Sequence, residues 1–399
     1  MSILDALKSY EETQDKYINL IASENVLIPS AHRPFISDII NRYVFEDSKD
    51  LYFPGRKILS DLENECCSMI SHLLDARFVS VKPISGLNGM LCVLGLFLKK
   101  EDLLYSLSTD NGGHNVTQFM AKRLGLEHKF LPFNMKSMDI DYDALEKEVI
   151  ENSIRMVYLD CMNILFGLDI KRLKSILDKR TFLVFDASHV MALIMGKSFS
   201  NPLMEGADIL IGSTHKTFPG PHKAIFATNN HIIKKIFDEK NGVFISHHHT
   251  ADVVSLAIVL EDLNNFMYDY AHETIKNSKF LAKRLHDCKL NVLFKHKDFT
   301  DTHQIWIGDN SRESVIKYAD KLTKENIMVN AMNLPGLDGF GLRIGVQEIT
   351  YRGLKEEEIF LLADVMLDIY NDNFTTETAR KRDHIISKFC YSYSENNRQ

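Results

Sequence analysis

The residues best suited to chemistry are a lysine and an aspartate that each follow an apolar segment. Lys216 lies in the sequence IGSTHKTFPG of residues 211–220, directly after the apolar run 207–211. Asp186 follows a second apolar run at 182–185. A lysine amine can bind the aldehyde of pyridoxal phosphate covalently, and an aspartate can keep the pyridine nitrogen protonated so that the ring accepts electrons. The pair therefore predicts a pyridoxal-phosphate site.

Each of these residues alone has a more ordinary explanation. A lysine after a strand is usually a solvated loop residue, and an aspartate there often caps a helix or a turn. Only their order, their spacing and their shared position after apolar runs favour the cofactor.

Length and composition limit the other classes of function. The chain has 399 residues, more than one hydrophobic core usually supports, so we expect two domains. Its formal net charge of -7 argues against general binding to nucleic acid or to an anionic membrane surface. We find no apolar run of bilayer-spanning length and no secretory pattern at the N-terminus. The 6 cysteines are scattered without a CxxC pair, which suits reduced thiols and predicts a cytoplasmic enzyme.

Short apolar runs alternate with helical patterns from about residue 56 to residue 260, which predicts βαβ units and a mostly parallel sheet. Ligands of such sheets gather at the carboxyl ends of the strands, where Asp186 and Lys216 fall. A second alternating region follows a long helical pattern at 251–285. The predicted α/β fold divides into an N-terminal arm at 1–30, a large domain at 31–262 and a smaller C-terminal α/β domain at 263–399.

Further polar residues follow the predicted strands. Ser85 and Gly86 open an apolar helix, whose free N–H groups would form a phosphate cradle. His114 would stack on a pyridine ring, or else is a turn histidine in solvent. The guanidinium of Arg343 could pair bidentately with a substrate carboxylate, or else it forms a surface salt bridge. His189 could brace the nearby aspartate or contact the cofactor.

Three adjacent histidines precede a threonine at 247–250. Adjacent side chains converge on one metal ion only if the backbone is contorted. Anion binding is therefore favoured for this segment, and no metal site is predicted.

Taken in order, these segments resemble serine hydroxymethyltransferase, a fold-type-I pyridoxal-phosphate enzyme. The resemblance covers nearly the whole chain, with similar gaps between the segments. The segments that carry it are IASEN at 21–25, NRY at 41–43, SG at 85–86, GGH at 112–114, DASH at 186–189, THKT at 214–217, GP at 220–221, TDTH at 300–303, LRIG at 342–345 and ITYRG at 349–353.

The resemblance implies roles for individual residues. It makes Lys216 the cofactor-binding lysine, Asp186 the pyridinium partner and His114 the ring-stacking histidine. It makes Arg343 the substrate-carboxylate arginine. Tyr43 matches a tyrosine that crosses a dimer interface, which implies a homodimer with shared active sites. The resemblance also implies substrate contacts by Ser23 and Tyr52, and cofactor contacts by Ser85, Gly86, His189, Thr214, His215 and His249.

The sequence departs from the family around the proton-handling and folate residues. After the tyrosine the family has Ala-Glu-Gly, but Tyr43 is followed here by Val-Phe-Glu. Phe45 therefore takes the place of the family's glutamate, and Glu46 could act as the catalytic glutamate only after a one-residue slip. A phosphate-binding serine of the family becomes Leu87, and a glycine-rich segment lent by the partner subunit becomes 247–250.

These observations leave several reactions open. The main hypothesis is hydroxymethyl transfer, or a related aldol exchange, on serine, glycine or a close analogue, with the use of tetrahydrofolate left open. The alternative is a folate-independent enzyme, such as a β-hydroxy amino acid aldolase or transaldolase, or one that performs transamination, racemisation or elimination. A homologue without turnover is a third hypothesis, against which the retention of Lys216, Asp186 and Arg343 argues.

Overall fold

The computed structural model describes residues 2–43, 57–309, 311–337 and 339–390. The predictions for Phe45, Glu46 and Tyr52 lie outside these residues. The strands are β1 Ile18–Asn19, β2 Phe78–Ser80, β3 Leu103–Ser106, β4 Glu127–Phe130, β5 Phe133–Asn134, β6 Asp139–Ile140, β7 Ile154–Leu159, β8 Phe182–Asp186, β9 Ile209–Ser213, β10 Ala224–Thr228, β11 Asn291–Val292, β12 Gln304–Gly308, β13 Ile327–Met328, β14 Asn330–Asn333 and β15 Phe340–Gly345. The α-helices are α1 Ile3–Gln14, α2 Lys57–Leu74, α3 Gly86–Phe97, α4 Val116–Leu124, α5 Tyr142–Glu151, α6 Ile170–Ile176, α7 Met191–Met195, α8 His231–Lys240, α9 Thr250–Leu263, α10 Met267–Asp287, α11 Arg312–Lys324, α12 Gln347–Tyr351, α13 Glu356–Tyr370 and α14 Thr376–Ser387.

The larger sheet positions the candidate site. It has 7 strands in the order β2-β10-β9-β8-β7-β3-β4. The pairs from β4 across to β9 are parallel, and β10 runs antiparallel to β9 and β2. Helices cover both faces of this sheet, so strands such as β7, β9 and β10 are buried almost throughout rather than at alternate residues. The predicted mostly parallel α/β sheet is confirmed.

A second, 4-stranded antiparallel sheet follows in the order β11-β12-β15-β14. It shares a hydrophobic cluster with α10, α11 and α13 that is separate from the two clusters of the larger sheet. A small cluster around Trp306 joins the two units, because Leu165 and Phe166 of the larger unit pack in it. The division predicted after residue 262 falls at the end of α9.

Local structure differs from the prediction in three places. The amphipathic pattern of residues 3–20 predicts one helix, but the helix ends at Gln14, and Ile18–Asn19 pairs instead with Ile327–Met328. The helical region predicted at 251–285 is two helices, α9 and α10, because two asparagines, weak helix formers, follow Leu263. Helix α14 was not predicted. Within the described residues, no helix combines the length and apolarity needed to cross a bilayer.

Candidate active site

The carboxyl ends of β7, β8 and β9 meet at a cavity of about 250 Å³. Asp186 is the last residue of β8. The structure corrects the prediction that a strand ends at Lys216: β9 ends at Ser213, and the lysine lies in the bend that follows. Both residues still reach the same sheet edge, as parallel strands require. The predicted residues that line this cavity are Ser85, Gly86, His114, Asp186, His189, His215 and Lys216.

Two side chains from distant segments hold the lysine bend in place. Asn25 Nδ2 donates to the carbonyl oxygen of Lys216 at 2.8 Å. Tyr270 donates its hydroxyl proton to the carbonyl oxygen of Thr217 at 2.6 Å. Neither residue was predicted to act at the site, although Asn25 belongs to the IASEN segment. Its position within the irregular N-terminal arm, rather than at the end of a strand, gives no chemical signal.

Thr214 does not line this cavity. The residue is fully buried, and its hydroxyl donates to the carbonyl oxygen of Pro221 at 2.6 Å. The hydroxyl oxygen of Thr214 also accepts from the backbone N–H of Lys223 at 3.1 Å. The hydroxyl therefore stabilises the bend, and its predicted cofactor contact stays a prediction.

The surroundings of Lys216 favour the neutral amine. Burial lowers the pKa of Lys216, the carboxylate of Asp186 opposes this effect, and the charge of Arg343 lowers the pKa further. Burial disfavours an ammonium because it removes hydrating water. Since only the unprotonated amine is nucleophilic, this setting suits a lysine that attacks a carbonyl carbon.

The carboxylate of Asp186 is held by two donors. The backbone N–H of Ser188 donates to Oδ1 at 2.9 Å, and the hydroxyl of Tyr158 donates to Oδ2 at 3.2 Å. Burial and the neighbouring carboxylates of Asp186 and Asp160 raise the pKa of Tyr158 well above its usual value, so the phenol stays a donor. The orientation of the carboxylate is thus fixed.

A second carboxyl group, Asp160, lines the cavity and was missed by sequence reasoning. Burial raises the pKa of Asp160 well above its usual value, which favours the neutral acid. Oδ2 accepts from the hydroxyl of Thr117 and from the backbone N–H of His114. Oδ1 is buried without a hydrogen-bond partner among the described residues. Asp160 directly follows β7, so the reasoning that found Asp186 after β8 would have found it.

Two of the cavity histidines are kept neutral by burial. Burial and the charge of Lys216 lower the pKa of His114, and its Nδ1 accepts the backbone N–H of Val116 at 3.1 Å. Its Nε2 is consequently the protonated nitrogen. Burial lowers the pKa of His189 well below its usual value, and its Nδ1 lies 3.2 Å from Nε2 of Gln304. Both rings can thus contact a ligand without adding charge.

The third cavity histidine, His215, lines the same cavity as the start of α3. Burial lowers its pKa to about 3, and its ring stacks on His222 at 4.0 Å between centroids. Its Nδ1 is buried without a hydrogen-bond partner among the described residues. Ser85 is the N-cap of α3 and Gly86 its first residue, so the open N–H groups of that helix end border the same cavity. This corner fits a phosphate group.

Arg343 lies on β15 of the smaller sheet and reaches the edge of the cavity. Its Nη1 donates to Asn163 Oδ1 at 3.0 Å and to the carbonyl oxygen of Met162 at 3.3 Å. Its Nε donates to Asn330 Oδ1 at 3.4 Å. Burial lowers its pKa to about 10, which still leaves it charged at neutral pH. Among the described residues no carboxylate pairs with it, and a buried cation in that state favours an anionic ligand.

Three other predicted residues lie away from this cavity. Ser23 lines a separate cavity of about 750 Å³ that reaches Lys216 from the side of the N-terminal arm. Tyr43 is half exposed, and its ring lies 4.6 Å from that of His247 in a T-shaped contact. His249 precedes α9 in a left-handed backbone conformation. Across the described ranges, these histidines included, no group of three or more potential ligands is arranged to hold a metal ion.

The cavity fits pyridoxal phosphate. A buried lysine amine with a lowered pKa and an oriented carboxylate suit the aldehyde and the ring nitrogen of the cofactor, and the end of α3 suits its phosphate. The unpaired atoms Asp160 Oδ1 and His215 Nδ1 offer further hydrogen bonds to a polar ligand. Together, this site and the mostly parallel sheet define a fold-type-I pyridoxal-phosphate-dependent transferase.

Comparisons with known proteins agree with this class. A sequence model of the serine hydroxymethyltransferase family matches residues 1–366. A serine hydroxymethyltransferase from Methanobrevibacter smithii is 32% identical, over 98% of this chain and 95% of its own length. An L-threonine:uridine-5'-aldehyde transaldolase from Amycolatopsis sp is 33% identical, over 90% of each chain. The crystal structure of L-threonine transaldolase from Pseudomonas fluorescens superposes with a TM-score of 0.92 at 26% identity, covering 100% of this chain and 94% of that one. The chain therefore belongs to the serine hydroxymethyltransferase family.

Proposed function

We propose that this protein exchanges aldehydes at the α-carbon of a β-hydroxy amino acid without folate. The enzyme would release one aldehyde from the donor and join the remaining glycyl α-carbon to a second aldehyde. The observation that carries the proposal is the buried Arg343, unpaired with any described carboxylate, beside the cavity of Lys216 and Asp186. An α-amino acid supplies both the amine and the carboxylate for which this arrangement is suited.

We assign the roles of the chain's residues from their positions. Arg343 binds the amino-acid carboxylate and so fixes which bond at the α-carbon breaks. Asp186 would hold the proton on the ring nitrogen of the cofactor, and His114 would contact the cofactor ring. Lys216 would hold the cofactor and, once the amino acid displaces it, its amine would accept or return a proton at the substrate. When bound, pyridoxal phosphate supplies the electron sink for the pair left at the α-carbon.

Two observations favour an aldehyde over folate as the second substrate. The family's proton-handling glutamate is replaced in sequence by Phe45. Relatives with the names of L-threonine transaldolases are as similar to this chain as those named serine hydroxymethyltransferase. L-Threonine is consequently our proposed donor, and acetaldehyde the aldehyde released from it.

Folate-dependent hydroxymethyl transfer from L-serine is the second candidate. The family match and the archaeal relatives named serine hydroxymethyltransferase favour it. Under either reaction we propose a homodimer, since Tyr43 and residues 247–250 correspond to segments that the family exchanges between subunits. We also propose a cytoplasmic location, which the 6 unpaired cysteines support.

The test measures glycine and aldehyde formation by the purified, cofactor-loaded protein. L-Threonine and L-serine are offered separately, each with and without tetrahydrofolate and with and without benzaldehyde as acceptor. The Lys216→Ala variant serves as the control, because it keeps the cavity but lacks the amine. We expect acetaldehyde from L-threonine without folate, and a new β-hydroxy amino acid when benzaldehyde is present.

Other outcomes would each identify a different reaction. Glycine formed only from L-serine and only with tetrahydrofolate would replace our proposal by the second candidate. A keto acid, a D-amino acid or ammonia, formed without glycine, would show that another bond at the α-carbon breaks. Equal rates in the Lys216→Ala variant would remove the lysine from the mechanism.

A further inference from the structure

A lysine that the proposed reaction does not use is completely buried behind the segment that leads to α3. Lys223 lies directly before β10, and none of its surface is exposed. Lysines are almost never fully buried unless other groups compensate the charge, because removing an ammonium from water is costly. The groups that surround this ammonium therefore indicate what it does. They belong to segments around the corner that fits a phosphate group, hereafter the phosphate corner, which is formed by Ser85, Gly86 and His215.

Backbone carbonyl groups accept the hydrogen bonds of the ammonium. Nζ of Lys223 donates to the carbonyl oxygen of His248 at 2.7 Å and to that of Lys82 at 3.4 Å. The next residue, Ala224, donates its backbone N–H to the carbonyl oxygen of Pro83 at 3.1 Å. Two consecutive carbonyl groups are thus held against the start of β10. The N-cap of α3 follows two residues later, so these contacts fix the backbone from which the phosphate corner begins.

The other segment that the ammonium holds is 247–250, for which the sequence favours anion binding. The carbonyl oxygen of His248 accepts from the ammonium, and Nδ1 of its ring lies 3.0 Å from Oε2 of Glu63 on α2. His249 has a left-handed backbone conformation and precedes the first residue of α9. Residues 247–249 belong to no helix or strand, so their position depends on contacts such as the one with Lys223.

The backbone of Lys223 is joined to the bend that carries Lys216. Its N–H donates to the hydroxyl oxygen of Thr214 at 3.1 Å, and its carbonyl oxygen accepts from the N–H of Thr214, also at 3.1 Å. The preceding residue, His222, stacks on the ring of His215 at 4.0 Å between centroids. Lys223 is therefore connected to both segments that form the phosphate corner, as well as to 247–250.

The amine is charged at neutral pH. Burial lowers the pKa of Lys223 to about 8, and the carboxylates of Glu63 and Asp252 oppose this effect. Burial alone would raise the pKa of Glu63, but its hydrogen bond with His248 and the charges of Lys82 and Lys223 hold it below its usual value. Hydrogen bonds from an ammonium are stronger than those from a neutral donor. The contacts with the two carbonyl oxygens consequently hold the backbone firmly.

We infer that Lys223 is a positioning residue for the cofactor phosphate, and that its ammonium holds the backbone before α3 and the segment 247–250 where they bind the phosphate group. A phosphate is bound by N–H groups at a helix N-terminus, and groups that are already in place bind more tightly because less order is lost on binding. Without the ammonium, two carbonyl oxygens lose their donor and the segments that carry them shift. The inference rests on pyridoxal phosphate as the cofactor, but not on which bond at the α-carbon breaks.

The experiment compares pyridoxal phosphate with pyridoxal, which has the same ring and aldehyde but no phosphate. The full-length protein without cofactor is titrated with each compound, and the visible absorbance of the compound bound to Lys216 gives its Kd. In Lys223→Met we expect the Kd of pyridoxal phosphate to rise by about 10-fold or more, and that of pyridoxal to change by less than about threefold. General damage to the fold would weaken both compounds alike, so the ratio of the two Kd values reports on the phosphate.

Two further variants control for folding and for the loss of a charge. Lys223→Gln keeps a donor for one of the two carbonyl oxygens, so its Kd for pyridoxal phosphate should lie between those of the wild type and of Lys223→Met. If circular dichroism shows that Lys223→Met is not folded, Lys223→Gln carries the same comparison. Lys234→Met removes a lysine of α8 that is half exposed and pairs with Asp238, and should keep both Kd values.

Inorganic phosphate tests the same corner without the ring. A ligand that binds the folded protein raises its Tm, and the rise grows with affinity. We expect phosphate to raise the Tm of the cofactor-free wild type above the value in potassium chloride of equal ionic strength, and to raise that of Lys223→Met by less. Equal rises in the two proteins would overturn the inference.

The titrations separate failure of the inference from failure of the proposed function. Equal losses of affinity for pyridoxal phosphate and pyridoxal in a folded Lys223→Met protein would make the lysine a support of the fold alone, and unchanged affinity for pyridoxal phosphate would give it no role in binding. Either result would overturn the inference. A wild-type protein that binds neither compound through Lys216 would contradict the cofactor and the proposed function together. The expected change of ratio, in a protein that does not cleave L-threonine, would uphold the inference and reject the proposed function.

Discussion

The cofactor cavity and a neighbouring cavity of about 1000 Å³, hereafter the acceptor cavity of the proposed exchange, meet at Met162 but are built from different kinds of side chain. The first holds Lys216, Asp160 and three histidines whose pKa values burial has shifted. The second is lined by amides, thioethers and hydrocarbon, with a single exposed carboxylate among the described residues. Buried ionisable groups are costly unless a ligand compensates them. The ionisable groups are therefore concentrated where a charged cofactor and an amino acid would bind.

The same comparison distinguishes side chains that recognise one arrangement of ligand groups from side chains that adapt to ligands of different shape. A site built from oriented carboxylates and imidazoles recognises one arrangement of charges and donors, and here Asp186 and His189 are each held by a hydrogen-bonding neighbour. Thioethers adapt to ligands of different shape. We infer that the cofactor cavity defines the chemistry common to the family, and that the acceptor cavity defines which aldehyde this protein uses.

Replacing Arg343 gives the strongest test of the difference between the two cavities. In Arg343→Ala the amino-acid carboxylate loses a charge-assisted pair, so the KM for the donor should rise by about 10- to 100-fold. The KM for the acceptor aldehyde should stay the same, because the acceptor cavity does not include the guanidinium. Steady-state kinetics with each substrate varied in turn measures both values.

The conservative variant refines that result. Arg343→Lys keeps the charge but loses the fork, so its donor KM should fall between those of the wild type and of Arg343→Ala. An unchanged donor KM in Arg343→Ala would place the carboxylate site elsewhere. Equal rises in the KM values of donor and acceptor would remove the distinction between the two cavities.

Asp160 should affect cofactor binding less strongly. Asparagine in Asp160→Asn can accept from Thr117 and His114 through its oxygen and donate through its NH₂, as the neutral acid does. Asp160→Ala removes both functions. We expect pyridoxal-phosphate affinity to change by less than about threefold in Asp160→Asn and to fall by about 10-fold in Asp160→Ala. Equal losses in the two variants would show that the ionised carboxylate is needed.

The same residue predicts a dependence of stability on pH. The pKa of Asp160 is raised in the folded protein above its ordinary value of 3.8, so the unfolded chain binds fewer protons between 3.8 and the folded pKa. The wild type must then lose stability as pH rises through that window, and Asp160→Asn must not. Urea unfolding at about pH 5 and about pH 8 measures the free energy of unfolding of both proteins. Relative to the wild type, the variant should be more stable at the higher pH than at the lower one. Parallel pH profiles would contradict a neutral Asp160.

The two cavities also differ in how far the sequence could predict them. Lys216 and Asp186 follow apolar runs, and parallel strands bring such positions to one edge, so the local pattern was enough. The acceptor cavity was not predicted, because Met135, Met162 and Met332 are ordinary apolar residues from three distant segments. These residues come together because of how the two sheets pack, and the local sequence pattern does not predict that packing.

Elements without periodicity were missed for a similar reason. The strand Ile18–Asn19 is too short to show alternation, and it forms because Ile327–Met328 offers an open edge. The sequence predicts no role for Asn25 of the IASEN segment, since its contact with the carbonyl oxygen of Lys216 joins segments far apart in sequence. Patterns of charge and hydrophobicity predict the strands and their ends, whereas contacts between distant loops need the structure.

The smallest expected effect concerns His249, which the resemblance assigns to the cofactor although it does not line the cofactor cavity of its own subunit. Its backbone is left-handed, with φ 53° and ψ 70°. That conformation is unfavourable for a side chain with a Cβ, so His249→Gly should raise the free energy of unfolding by about 1 kcal/mol. The control variant Asn326→Gly, at φ 61°, should gain less stability, because asparagine tolerates this backbone region.

A stabilised His249→Gly protein that binds pyridoxal phosphate as tightly as the wild type would contradict the implied contact. A stabilised protein with weaker cofactor binding would support a histidine that reaches the phosphate across the proposed dimer, because relief of backbone strain alone cannot reduce affinity for the cofactor.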